Sequence, residues 1–282
     1  MTIDIVFCLN SNLARPLVTV INSIVRNAAE PASLRFNIAV PPSGQELETI
    51  TSVIENAFPN RDFSVRIRGA QLSNWIATYI EHRLGRPVRP AEGIALNYAR
   101  FEVQTLFDDL KNYIYLDGDL VVRDNIASVI EMFDEERGLA AVPQYLSGLF
   151  YFRRPLAGLR EAGRMLRPFN AGVYVTDARL WGDDLMLELR SLMEWDRRND
   201  FKLFWLHTEP LMNILFKDYQ RLPRRWNQSG YGNHPFVARL LKRPLSEMSV
   251  IHWSGGHRKP WRDRSIAYAE EWWAYDKGPV SA

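Results

Sequence analysis

The chain has 282 residues, of which 46% are hydrophobic, 12% aromatic and 24% charged. That composition supports an ample core and excludes disorder over most of the length. The single cysteine, Cys8, excludes an internal disulfide framework and a cysteine-rich zinc site, and the formal charge of +2 points to no particular partner.

In chain order, MTIDIVFCLNSN has no basic n-region and carries Asp4 within a short apolar run, so it reads as a first strand rather than a signal peptide. No stretch approaches the roughly 18 apolar residues of a membrane span, and the expected location is the cytoplasm. The run over residues 3–9 suits a strand buried on both faces of a parallel sheet, with Cys8 as a structural thiol. Residues 13–27 place Leu17, Val20, Ile21, Ile24 and Val25 at helical spacing. A strand follows at 34–40, stopped by Pro41 and Pro42, then a helix at 45–58 and a strand at 62–67. This βαβαβ start implies a doubly wound α/β sheet of the nucleotide-binding type. The turn after the first strand is Asn10-Ser11-Asn12, with neither GxGxxG nor GxxxxGK[ST], so dinucleotide and P-loop readings fail.

Residues 95–110 read as an amphipathic helix that leads into a strand at 112–116. Asp117-Gly118-Asp119 follows directly, then Leu120-Val121-Val122. Helices are expected at 178–198, 209–217 and 265–275. Residues 145–166 carry no clear pattern and read as an insertion or a flexible wall, and there is no internal repeat or low-complexity segment.

Two carboxylates at i and i+2 after an apolar strand lie where open α/β sheets bind ligands. Gly118 between them is expected to allow a tight turn, so that Asp117 and Asp119 converge on Mg²⁺ or Mn²⁺ shared with ligand phosphates. The same residues also fit the DxDx[T/V] pattern of haloacid-dehalogenase-like phosphatases, with Asp183 and Asp184 as a distal acidic pair. That motif normally opens its fold, whereas here it follows more than a hundred residues of α/β structure. Three further segments weigh against the phosphatase: Phe169-Asn170-Ala171-Gly172-Val173-Tyr174-Val175, Leu222-Pro223-Arg224-Arg225-Trp226-Asn227, and the run from His252 through Gly255 to Lys259-Pro260-Trp261.

With these segments in order, and with Tyr98-Ala99-Arg100 ahead of the DxD, the chain resembles glycosyltransferase family 8 from about residue 3 to residue 275. The resemblance implies a single GT-A domain over 1–282, a Rossmann-like fold for nucleotide-diphospho-sugar transferases with a mixed central sheet flanked by helices. It implies a retaining transferase that moves a hexosyl or uronosyl group from a nucleotide sugar, usually a UDP-sugar with Mn²⁺, to a hydroxyl of a glycan or glycolipid. Asp117, Asp119 and His252 are then the metal ligands. Lys259 holds the diphosphate, with Gly255 giving close backbone approach. Asn10 and Asn12 match the base-binding loop, Arg100 contacts the donor, and Asn170, with Gly172 beside it, contacts the donor sugar. Glu209 stands where many relatives have glutamine, and is expected beneath the sugar as a stabiliser of an oxocarbenium-like centre or as a nucleophile.

Departures from the family pattern are Asn10 and Leu13 in the base loop, Gln144 in the AVPD-like stretch, and one extra residue between His252 and Lys259, which leaves Arg258 able to share the task of the lysine. A catalytically degenerate nucleotide-sugar binder is the non-enzyme alternative.

Between Arg221 and Arg264 ten Lys and Arg face only Glu247 and Asp263, so that segment carries +8 and the remainder −6. Five of the nine tryptophans lie in or just after it: Trp226, Trp253, Trp261, Trp272 and Trp273. Residues 221–282 thus form a basic, Trp-rich portion, either a solvated face over core tryptophans or a surface for peripheral contact with an anionic membrane, as in extending a lipopolysaccharide core or capsule precursor. No recognition-module motif accompanies the charge, so nucleic acid is not an expected partner.

Overall fold

The computed structural model describes residues 2–144, 168–204, 208–255 and 258–279. The segment at 145–166 that showed no pattern lies outside the described residues.

Ile3, Ile5 and Phe7 of β1 (Ile3–Cys8) point into one apolar layer and Val6 into the other, which is why the run has no alternation. Parallel neighbours β2 (Leu34–Val40) and β3 (Ser64–Gly69) follow, joined through helices Ala14–Asn27 and Gly44–Ala57. Ser43 caps the second helix by accepting the Glu46 N–H. After helix Asn74–Leu84 the chain returns to the far side of β1 as β4 (Asn112–Leu116), again parallel.

The remaining strands are β5 (Leu120–Val122), β6 (Leu139–Pro143), β7 (Phe169–Asp177), β8 (Gln220–Arg221) and β9 (Val250–His252). The main sheet runs β3-β2-β1-β4-β7-β6-β8, with β5 and β9 as a separate pair. The order reverses between β1 and β4, so the loops leaving their C-terminal ends diverge and open a crevice. β7 is antiparallel to β4, with Leu116 opposite Val173, and this brings the head of β7 to the tail of β4. β9 is antiparallel to β5, with His252 opposite Leu120. A sequence-distant glycine segment and a histidine therefore both arrive at the Asp-Gly-Asp turn.

Several boundaries differ from the expectations. The helix expected at 95–110 is broken into Gly93–Ala99, a 3₁₀ turn Arg100–Glu102 and the short Val103–Leu106. Helix 265–275 begins only at Ala269, because Tyr268 takes a left-handed φ of 62°. Helix Asn74–Leu84, closed by left-handed Gly85 at φ 67°, had no sequence expectation.

The tryptophans do not form an aromatic surface. Trp226, Trp253 and Trp272 are buried, while Trp261 and Trp273 are half-buried against Trp272. Instead the exposed apolar residues of this region are Phe236, Val237 and Leu240, on helix Pro235–Leu240. No helix among the described residues is long and apolar enough to cross a membrane.

Candidate metal centre and its surroundings

Asp117 leaves the end of β4, and its backbone N–H donates to the Gly172 carbonyl at 2.8 Å, clamping β4 to β7. Asp119 follows after Gly118, and its carbonyl accepts the Trp253 N–H at 2.9 Å, clamping the turn to the end of β9. These two backbone bonds aim the side chains of Asp117, Asp119 and His252 at one point. One ligand atom from each lies within 4.8 Å of the others, and no other such group of His, Cys, Asp and Glu occurs among the described residues. The His252 Nε2 is 3.1 Å from Asp119 Oδ1 and 3.8 Å from Asp117 Oδ2.

Gly172 makes the space. A Cβ there would lie 2.4 Å from Asp117 Oδ2 and 2.4 Å from His252 Cε1, so any side chain would displace two of the three converging groups. Two carboxylates and one imidazole on half-buried walls fit a divalent cation with positions left for ligand oxygens.

Gly118 is different. It has no left-handed backbone angle, and a Cβ would meet only Leu13 and Leu9 at 3.7 Å, so the tight turn expected of it is not what holds the two aspartates together. The clamps from Gly172 and Trp253 do that.

The two carboxylates have unlike surroundings. Burial pushes Asp117 above its ordinary value, against the opposing pull of Arg100. Burial also penalises Asp119, but His252 and then Lys259 outweigh it and hold Asp119 well below the usual carboxylate range. Lys259 Nζ is 2.6 Å from Asp119 Oδ2 and donates to the Trp253 carbonyl at 2.7 Å. The extra residue before Lys259 therefore does not keep it from the site. Arg258 instead pairs with Asp263 at 2.7 Å. Behind Lys259, Trp273 Nε1 donates to the Pro260 carbonyl at 3.0 Å. Gly255 has φ 78°, and a Cβ on it would lie 2.3 Å from Asn233 Oδ1; the position accepts only glycine.

Arg100 is buried beneath Asp117. It donates to the Ala171 carbonyl at 2.7 Å and to Asp117 Oδ1 at 3.4 Å, with its guanidinium 4.6 Å from the Tyr115 ring centroid. Tyr115 stacks in turn on Tyr174 at 4.8 Å. Cys8 belongs to this neighbourhood, and burial pushes its thiol up to about 12, so it stays protonated and inert.

Asn170 lies on the β7 side. Its Nδ2 donates to Glu209 Oε2 at 2.8 Å, and the Ala171 N–H adds a second bond to that oxygen at 3.3 Å. Glu209 is placed by Asn213, one helical turn later on helix Thr208–Leu215, whose amide brackets both the N–H and the carbonyl of Phe169. Asn10 turns its amide to the Ala91 carbonyl at 2.8 Å, and Asn12 is exposed in the turn Ser11–Leu13. Neither has a hydrogen bond to the metal cluster among the described residues, although Leu9 and Leu13 of the same loop lie against Gly118. The sequence reading named Asn227 only as the end of the Leu222–Asn227 segment and gave it no role; its Oδ1 is 3.0 Å from His252 Nδ1.

The distal acidic pair of the phosphatase reading is not here. Asp183 and Asp184 open helix Asp183–Arg198, which follows Asp177, and Asp177 pairs with Asn112 at the opposite end of β4 from Asp117.

Residues 4–265 match the family described as glycosyl transferase family 8. Among curated proteins, the chain is similar to two from Arabidopsis thaliana. Probable galacturonosyltransferase-like 4 is 28% identical over 271 residues, covering 92% of this chain and 73% of the relative. Probable galacturonosyltransferase-like 6 is 27% identical over 270 residues, covering 92% and 74%. Among solved structures, a galactosyltransferase, LgtC, in complex with donor and acceptor sugar analogs superposes with TM-score 0.67 at 20% identity, covering 99% of this chain and 97% of that one. The bifunctional glycosyltransferase WbbM gives TM-score 0.67 at 18% identity, and there the chain spans only 50% of the longer protein. The structural likenesses establish the fold, GT-A.

Proposed function

This chain belongs to glycosyl transferase family 8 and is a glycosyltransferase, and from that premise we propose that it is a metal-dependent, retaining enzyme that moves a galactosyl or galacturonosyl group from a UDP-sugar to a hydroxyl of a glycan or glycolipid. The observation that carries this reading is the convergence of Asp117, Asp119 and His252 with Lys259 at 2.6 Å from Asp119. The sugar class is supported by the names of the plant relatives and of the galactosyltransferase LgtC. Those plant relatives give no support to a lipopolysaccharide acceptor, so the acceptor is proposed no more finely than a glycan or glycolipid.

Asp117, Asp119 and His252 would hold Mn²⁺, whose charge would offset the charge growing on the leaving diphosphate. Lys259 brings a second cation to the same place, fixed by the Trp253 carbonyl and by the packing of Pro260-Trp261. Arg100 holds Asp117 from beneath. Asn170 and Glu209, linked at 2.8 Å, face the sugar side, where Glu209 stabilises positive charge at the anomeric carbon or attacks it. Asn10 and Asn12 would take the base.

A thermal-shift and turnover panel of UDP- and GDP-sugars, UDP-galactose and UDP-galacturonic acid included, tests the reading with Mn²⁺ and with EDTA. One UDP-sugar is expected to stabilise the protein and to be hydrolysed slowly only with metal. Equal turnover in EDTA, or binding of no nucleotide sugar, sinks it. Full activity of Glu209→Gln removes Glu209 from the chemistry, and a glycosyl adduct on the trapped wild type by mass spectrometry makes it the nucleophile.

We place the acceptor side at an anionic membrane surface. Phe236 and Leu240 are 65% and 69% exposed, next to exposed Arg239, Lys242 and Arg243, and such apolar-basic faces bind anionic bilayers. The helix follows Gly232 and Asn233, which pack on Gly255 at the site. Sedimentation with phosphatidylglycerol vesicles should be lost in Phe236→Ser/Leu240→Ser, and unchanged sedimentation of that variant overturns the placement.

A further inference from the structure

Resting on the reading of Asp117, Asp119 and His252 as a metal centre, the remaining question is what gives the imidazole a free lone pair at Nε2. An isolated neutral histidine can carry its hydrogen on either nitrogen.

The answer begins at a backbone amide. The Gly172 N–H points at one end of the Asn170 side chain at 3.2 Å, and a backbone N–H can only donate, so that end is Oδ1. The other end lies 2.8 Å from Glu209 Oε2, which as a carboxylate oxygen accepts, so it is Nδ2. Two independent partners thus fix the Asn170 amide. Asn227 then approaches Asn170 Oδ1 at 3.1 Å and must present its own Nδ2 there. Its Oδ1 is left facing His252 Nδ1 at 3.0 Å.

An amide oxygen accepts and never donates, so the hydrogen of the neutral ring is on Nδ1. Nε2 is the nitrogen that faces Asp119 and Asp117, and in the neutral ring it carries the lone pair that a bound cation would take. Turning Asn227 over would set oxygen against oxygen at Asn170, and turning Asn170 over as well would oppose it to both Gly172 and Glu209. The relay has one self-consistent direction.

We infer that Asn227 is the positioning residue of the metal centre: together with Asn170 it transmits the donor direction of the Gly172 amide and so holds His252 in the Nδ1–H tautomer. His252 and Asn227 are both buried, and a partner of this kind orients a metal-bound histidine. The relay also joins the metal end of the site to Glu209 through two side chains. Asn227 touches neither donor nor acceptor in this scheme and acts only through its neighbours.

The test has two arms. Nitrogen NMR of the metal-free wild type, at a pH high enough to leave the ring neutral and with the signals of the five histidines assigned by substitution, should show the His252 hydrogen on Nδ1; a neutral ring with its hydrogen on Nε2 overturns the inference with no variant needed. In calorimetric titration with Mn²⁺ alone, Asn227→Ala should bind about ten- to a hundredfold more weakly than wild type, as for loss of a partner that orients a metal-bound histidine. Asn227→Asp, which still accepts from Nδ1–H, should stay close to wild type in Mn²⁺ affinity while lowering turnover, because its carboxylate opposes Asn170 Oδ1. Equal affinity of Asn227→Ala and wild type, or an Asp variant as weak as the Ala variant, also refutes it. If wild type itself binds no Mn²⁺, the proposed function fails, and the tautomer measurement still decides the relay.

Discussion

The two ends of the central sheet each gather acidic and basic side chains, and they do so in opposite ways. At the N-terminal end, Asp4 of β1 is buried and takes a two-pronged bond from Arg35 at 2.6 and 2.9 Å, with Asn37 adding a third donor at 2.8 Å. Arg35 and Arg66 both continue to Asp109. Every acceptor there meets a donor on the protein. At the C-terminal end, Asp117 Oδ2, Asp119 Oδ1 and His252 Nε2 face one another. The first cluster is closed and ties three strands together, while the second is open toward a cation. An acidic cluster in a sheet therefore reveals its purpose by whether its acceptors meet donors or each other.

Substitutions should separate the two ends. The largest effect is expected from Gly172→Ala, where the added methyl displaces Asp117 and His252 together; Mn²⁺ binding measured by calorimetry and turnover should both be lost, and a variant that still binds Mn²⁺ would contradict the packing described. Asp119→Asn should cost at least ~3 kcal/mol of barrier, a hundredfold or more in turnover.

Asp4→Ala should do the reverse. Breaking a buried pair costs roughly 3–5 kcal/mol, and the value here belongs at the low end because Arg35 keeps Asp109. Tm should drop by about 6–12 °C with turnover per folded molecule unchanged; lost activity in a folded Asp4→Ala protein would erase the distinction between the ends.

The smallest effect concerns the loop that carries Lys259. Hydrogen bonds from Ser265 and then Arg258 lower Asp263 to about 2. A depressed carboxylate contributes fully above its ordinary range near 4 and loses that contribution as pH falls toward 2. Carboxyl NMR should find Asp263 titrating near 2 and moving toward the ordinary value in Arg258→Ala.

The legibility of the sequence followed the same divide. Strands β1 and β4 were readable because burial on both faces leaves a run that is apolar but for Asp4 and Asn112, and β2 because Leu34, Phe36, Ile38 and Val40 recur at every second residue. The helix expected at 95–110 was not, because its periodicity passes straight through the 3₁₀ turn at Arg100. That turn exists to send a guanidinium to Ala171 and Asp117, a partner set the local sequence does not contain. In the site, Asp117, Asp119, His252 and Lys259 are residue types that carry chemistry and stood out. Gly118 was credited with a turn that two distant backbone bonds make. Asn227 stood in the Leu222–Asn227 segment but its role was not legible, since its importance comes from the atom it faces rather than from its own reactivity.

The antiparallel pairing of β5 with β9 carries a consequence for synthesis. Asp119 and His252 are 133 residues apart in the chain, and Asp119 and Lys259 are 140 apart. At about 5–20 residues per second, a ribosome leaves β5 without its neighbour for roughly seven to twenty-seven seconds. During that time Leu120-Val121-Val122 is an apolar edge on a nascent protein, and the two aspartates lack their histidine and lysine. The growing chain is inactive and adhesive over the same interval, and the arrival of β9 ends both conditions at once.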